Sequence, residues 1–179
     1  AVARNQELLW SEGFGYADVE NRVAVTPLTK FRIGSVSKPL TSAAMALLVE
    51  QKKLDLDAPV RKYVPSFPAK RCELTTRQLA GHLSGMRHYA GKEFLSAQHY
   101  PTVLSGLTMF ESDTLLFKPG EKFSYTSYGW NLISAVVEAA AQKNFLTYMR
   151  EQVFLPLAMQ HTVADHVDSL IAFRTRFYE

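Results

Sequence analysis

The chain has 179 residues, 47% hydrophobic and 12% aromatic, with a formal net charge of +3. That composition supplies a core for one domain and excludes an intrinsically disordered chain. The basic residues are scattered among acids without a Lys/Arg block interleaved with aromatics, and no apolar stretch approaches the roughly 20 residues of a membrane span, so neither nucleic acid nor a bilayer is an expected partner.

Cys72 is the single cysteine, which rules out an internal disulfide. It lies in the charged run Lys70-Arg71-Cys72-Glu73, away from any His/Cys cluster, so a metal site, thiol chemistry or other cofactor is not expected.

In chain order, Glu7 to Asp18 reads as one strand and Glu20-Asn21-Arg22 as a turn into Val23-Ala24-Val25, which together predict a hairpin. Lys30-Phe31-Arg32-Ile33-Gly34 is a further extended piece. A helix is then predicted from about Ser35 to Lys52. Pro39 suits only a first turn, where its missing N–H has no intrahelical partner to lose. The run from Thr41 to Val49 is small and apolar nearly all round, the pattern of a helix in a domain centre.

A proline-punctuated connection follows. Thr75 or Thr76 can cap a helix running to Leu83, ended by Ser84-Gly85. Residues 101–110 predict a helix with Pro101 near its start, 129–141 a long amphipathic helix, and 145–154 another that Pro156 stops. The last residues, from Ile171 on, read as the start of a new extended segment. Three parts are thus expected within one partial domain: N-terminal strands over 1–34, a mostly helical region over 35–160, and the first of the returning strands over 161–179. Few strands precede residue 35, so the sheet is expected to be incomplete in this chain, as in a fragment.

Two stretches carry chemistry. Ser35 and Lys38 stand at i and i+3 at the predicted helix start, which places an amine one turn above a hydroxyl on one face. A serine hydroxyl needs a neighbouring base, and helix N-terminal N–H groups favour an alkoxide or a tetrahedral oxyanion beside it. A bare S-x-x-K arises by chance about once in a chain of this size. The plain alternative is Ser35 as an N-cap with Lys38 solvated. A buried first turn weighs against that, because a lone lysine there is costly.

The second stretch is Phe123-Ser124-Tyr125-Thr126-Ser127, after the turn at Pro119-Gly120. In an extended run Tyr125 and Ser127 point the same way. A phenol beside Lys38 would relay a proton, and Ser127 would hydrogen-bond the lysine or a substrate amide. The plain alternative here is a half-buried tyrosine and a serine that caps the next helix. His82, His88 and the intervening Ser84 suggest a triad, but no acid is placed to orient either ring, and His82 fits a satisfied core histidine.

Taken together, Phe31-Arg32-Ile33-Gly34-Ser35-Val36-Ser37-Lys38, Leu54-Asp55-Leu56-Asp57, His82-Leu83-Ser84-Gly85-Met86-Arg87-His88-Tyr89, Lys118-Pro119-Gly120 and Tyr125-Thr126-Ser127 resemble the serine β-lactamase-like hydrolases, the class C β-lactamase, DD-peptidase and esterase group. The stretch 82–89 is most similar to the mitochondrial branch and its bacterial relatives. The resemblance implies an α/β fold of the α+β type, with an antiparallel sheet flanked by helices plus an all-helical region.

It also implies Ser35 as the acyl-accepting nucleophile, Lys38 as its base or proton partner, and Tyr125 as the tyrosine of a Y-x-N motif. Ser127 stands where that motif has asparagine, and a hydroxyl is shorter with one donor, which weakens penicillin-type amide recognition. The family's later Lys-Thr-Gly or His-x-Gly motif does not follow Tyr125 in this sequence.

The implied function is a serine acyl-hydrolase acting on a small-molecule or peptide acyl substrate, peptidase before esterase. The implied compartment is periplasmic or extracytoplasmic for a bacterial source and mitochondrial for an animal one. The alternative is a catalytically inactive scaffold of the same fold that binds or self-assembles.

Overall fold

In a computed structural model, which describes residues 1–166 and 168–178, the chain divides into two compact units. Residues 1–35 with 160–179 form one, and residues 36–159 form the other. The expected returning segment 161–179 includes Val167 and Glu179, which lie outside the described residues.

The first unit is built from short antiparallel pairs. β1 (Val2–Arg4) and β2 (Glu7–Trp10) form a hairpin with Val2 opposite Trp10 and Arg4 opposite Glu7. Its two-residue turn is Asn5-Gln6, both with positive φ (50° and 68°), as a turn matched to strand twist requires. β3 (Tyr16–Asp18) pairs with β4 (Val23–Ala24).

The single strand expected over residues 7–18 is therefore broken, and the glycines give the reason. Gly15 takes φ +78°, and a Cβ on Gly13 would overlap the Val25 carbonyl. The backbone needs both residues bare to turn from one pair to the next. The C-terminal segment adds to this unit by backbone pairing. Lys30 forms a parallel bridge with Arg174, and the Arg176 N–H donates to Ala17 O at 2.9 Å. Asp165 accepts from both Arg32 and Arg174, and the Tyr178 hydroxyl donates to Glu20 at 2.5 Å.

The second unit holds the apolar core. α1 (Ser37–Glu50) buries Thr41, Ala44, Met45 and Leu48, one stripe at helical spacing. It is therefore amphipathic rather than buried all round, with Ala46 and Val49 facing outward. α2 (Thr76–Ala80) opens with a capping box in which Thr75 accepts from the Gln78 N–H and the Gln78 side chain accepts from the Thr75 N–H.

α2 stops earlier than expected, because His82 takes a left-handed conformation with φ +59°. α3 (Tyr128–Ala141) is central: Leu132, Ile133, Val136 and Val137 are fully buried, each stabilising the fold by about 1.5–3 kcal/mol. Gly129 lets α3 approach α2, since a Cβ there would sit 3.1 Å from Thr126 Cγ2 and 3.6 Å from Leu79 Cδ2. α4 (Phe145–Tyr148) is capped by the Asn144 side chain and runs into a π-helical turn, Met149–Phe154. The helix expected over residues 101–110 is a short 3₁₀ segment, Ser105–Met109.

Candidate active site

The expected helix start at Ser35 is displaced by two residues. Ser35 lies in a single 3₁₀ turn, Gly34–Val36, that leads directly into α1, and it is exposed. The first turn of α1 is not buried as the sequence pattern suggested: Ser37 is exposed and Lys38 is half-buried. The inward stripe begins one turn later, at Thr41.

Lys38 and Tyr125, 87 residues apart in sequence, are brought together. Lys38 Nζ donates to the Tyr125 hydroxyl at 2.7 Å and lies 4.9 Å from the centre of the phenol ring. Two elements achieve this: α1 carries Lys38 in its first turn, and the segment before α3 carries Tyr125. Ser127 departs from expectation. It has helical dihedrals (φ −79°, ψ −28°) at the N-cap position of α3 and makes no side-chain capping bond. The run is thus no longer extended at Ser127, and alternation does not set its direction.

The histidines also depart from expectation. His82 is not a core residue of a helix but a half-buried group just past α2. Its ring stacks on Tyr125 with centroids 4.4 Å apart, and the His88 ring meets Tyr125 edge-on at 5.4 Å. His82 Nδ1 accepts from the Thr126 N–H and His88 Nδ1 from the Ser127 N–H, both at 3.1 Å. Burial, and after it the nearby Lys38 charge, pushes both imidazoles below their ordinary pKa. Ser84 is fully buried, with its Oγ accepting from the Met86 N–H, which leaves the triad suggested by sequence without an exposed hydroxyl.

Backbone bonds lace residues 82–85 to 116–124. The Ser124 N–H donates to His82 O at 2.9 Å, the Gly120 N–H to Leu83 O at 2.8 Å and the Leu116 N–H to Gly85 O at 2.8 Å. Beneath them lies an ion cluster that the sequence did not reveal. Arg87 forks onto Glu93 at 2.6 and 3.0 Å and reaches Asp113 at 2.6 Å. The Tyr128 hydroxyl donates to Glu93 at 2.7 Å, and Thr126 Oγ1 donates to Arg87 O at 2.6 Å.

The Arg87 guanidinium, helped by the Ala90 N–H and the Tyr128 hydroxyl, holds the Glu93 carboxyl down at about 2. Burial and the Glu93 charge push Tyr128 up to about 12. Through Thr126 and Tyr128 the cluster ties the segment that carries Tyr125 to the Arg87 backbone and the Glu93 side chain. Among the described residues no group of three or more His, Cys, Asp or Glu side chains is placed to hold a metal.

Over residues 1–178 the chain matches the family described as Beta-lactamase. The human serine beta-lactamase-like protein LACTB, mitochondrial, is 35% identical over 95% of this chain, which covers 44% of that protein. A penicillin binding protein from Bacillus halodurans superposes with a TM-score of 0.80 at 28% identity, over 90% of this chain and 50% of the other.

EstCE1, a hydrolase with promiscuous acyltransferase activity, does so with a TM-score of 0.77 at 28% identity, over 87% and 45%. This chain thus spans half or less of the length of each of these relatives. A family match across almost every residue, with matching three-dimensional neighbours, establishes that the chain belongs to the Beta-lactamase family and has a β-lactamase/penicillin-binding-protein-like fold.

Proposed function

We propose that this chain carries the nucleophile and proton-relay half of a serine acyl-hydrolase, with Ser35 as nucleophile and Lys38 and Tyr125 as its proton partners. The observation that carries the reading is the 2.7 Å hydrogen bond from Lys38 Nζ to the Tyr125 hydroxyl. Within hydrogen-bonding distance, an amine and a phenol can pass a proton between them, which neither could do from opposite ends of the site.

In the proposed reaction Ser35 Oγ forms a bond to an ester or amide carbonyl carbon while its proton passes to the Lys38–Tyr125 pair. The pair returns the proton to the departing alkoxide or amine as the C–O or C–N bond breaks. Water then attacks the acyl carbon and gives a proton to the same pair; as the C–O bond to Ser35 breaks, the pair returns that proton to Ser35 Oγ and the acid leaves. Ser127 lies two residues beyond Tyr125 and would contact the substrate. A hydroxyl there, shorter than an amide and with one donor, weakens penicillin-type amide recognition and leaves ester and peptide acyl substrates open.

Intact-mass analysis after exposure to a fluorophosphonate tests this reading. A single adduct mapping to Ser35 and lost in Ser35→Ala is expected. The substitution is at an exposed position, where stability should change by no more than about 0.5 kcal/mol, so circular dichroism should show an unchanged fold. An adduct that persists in Ser35→Ala refutes the assignment. No adduct at all favours the inactive-scaffold reading.

A further inference from the structure

We infer that His82 and His88 are positioning residues which hold Tyr125 for proton transfer, and that they can do so only as neutral imidazoles protonated on Nε2. This rests on the reading of Tyr125 as the proton relay.

Tyr125 is held by two rings, the stacked ring of His82 at 4.4 Å and the edge-on ring of His88 at 5.4 Å. The same two rings receive the next two peptide N–H groups, those of Thr126 and Ser127. A backbone N–H can only donate, so the nitrogen facing it must present a lone pair. Each Nδ1 therefore carries no proton, and each neutral ring must carry its own on Nε2.

An imidazolium has no lone pair on either nitrogen. Protonating either ring turns an acceptor into a donor pointed at another donor and leaves a peptide N–H unsatisfied. It also adds a cation facing Lys38 on α1. The groups facing these rings are Lys38 from α1, Tyr125 from the segment before α3, and each other, with Tyr89 against His88 at 4.2 Å. Phe123 and Trp130 flank His82 at 5.6 and 6.3 Å and are uncharged. None is a carboxylate that would favour the imidazolium. Acid therefore loosens the tyrosine's seat by breaking two adjacent bonds.

The left-handed backbone at His82 (φ +59°) fits this role. A non-glycine residue adopts that conformation at some cost, and here it turns the ring back over the loop it holds.

Two measurements on the protein test the inference. Long-range ¹H–¹⁵N NMR of the imidazoles should show both rings protonated on Nε2 at neutral pH. The Thr126 and Ser127 amide resonances should then shift with the imidazoles as pH falls. Neutral rings carrying their proton on Nδ1, or amides that ignore the titration, overturn the inference without reference to activity.

The second measurement is the pH dependence of Ser35 acylation in variants. Asparagine keeps an acceptor where Nδ1 stood, cannot titrate, and tolerates the left-handed backbone at position 82. His82→Asn and His88→Asn keep the backbone bond but lose the ring contact, so each should acylate more slowly than the parent at neutral pH, and each should remove one proton from the acid limb. His88→Ala should slow acylation roughly 100-fold, the scale of a catalytic group displaced by about 1 Å.

An acid limb unchanged in the double asparagine variant overturns the inference. Correct tautomers and coupled amides in a protein that never acylates Ser35 would instead remove the hydrolase reading and leave the imidazole clamp standing. The reverse pattern would remove the clamp and leave the hydrolase.

Discussion

Replacing Gly85 by alanine should destabilise the protein far more than the same change at Gly91. Both glycines have positive φ, +74° and +54°, so each substitution incurs a left-handed alanine at about 1–2 kcal/mol. Their surroundings differ. Nothing lies within 4 Å of a Cβ built on Gly91, whereas on Gly85 it would overlap the Phe117 carbonyl oxygen, with Phe117 C and N each 3.3 Å away.

Those are backbone atoms, held in place by the Leu116 N–H donating to Gly85 O at 2.8 Å, so no side-chain rotation relieves the overlap. Overpacking of this kind adds about 1–3 kcal/mol. At about 2–4 °C per kcal/mol for a chain of this size, Gly91→Ala should lower Tm by roughly 2–8 °C. Gly85→Ala should lower it by roughly 4–20 °C, with a gap of roughly 2–12 °C between them.

Paired thermal scans measure that gap directly, since any stiffening of the unfolded chain by alanine is common to both. Gly85 sits between His82 and His88, so its variant should also lose acylation where the Gly91 variant does not. Equal melting temperatures would show that the loops bearing Gly85 and Phe117 are not pressed together as described.

Two further outcomes are expected. The Glu93 carboxyl is held at about 2, against an ordinary 4.5, chiefly by Arg87; a lowered folded-state value stabilises the fold above the ordinary pKa, and that stability is lost as pH falls from about 4.5 towards 2. Glu93→Gln should be less stable than the parent at pH 7, with the two acid-unfolding curves converging near pH 2; parallel curves would refute the Arg87–Glu93 pairing. Ser127→Asn, which restores the family's Y-x-N pattern, should raise acylation by a penicillin relative to a simple ester, measured as a ratio of second-order rate constants; an unchanged ratio would mean that the position 127 side chain does not contact the substrate amide.

Local rules written into the chain determined much of this protein. Pro39 and the apolar run after it marked α1, amphipathic spacing marked α3, Thr75 or Thr76 marked the start of α2, and the order of short motifs around Ser35, Lys38 and Tyr125 marked the family. Such features depend on residues a few positions apart, whose interactions are the same wherever the segment is placed. What the sequence left open depends on contacts distant along the chain.

The break of the first strand follows from Gly13 pressing on Val25, and the early end of α2 from the left-handed turn at His82. The change of His82 and His88 from bystanders to the supports of Tyr125 rests on hydrogen bonds to backbone 44 and 39 residues away. The Arg87–Glu93–Asp113–Tyr128 cluster has the same character. Each of its side chains alone reads as an ordinary surface charge or core aromatic, and only packing, which brings them together half-buried against Tyr128, gives them their mutual hydrogen bonds.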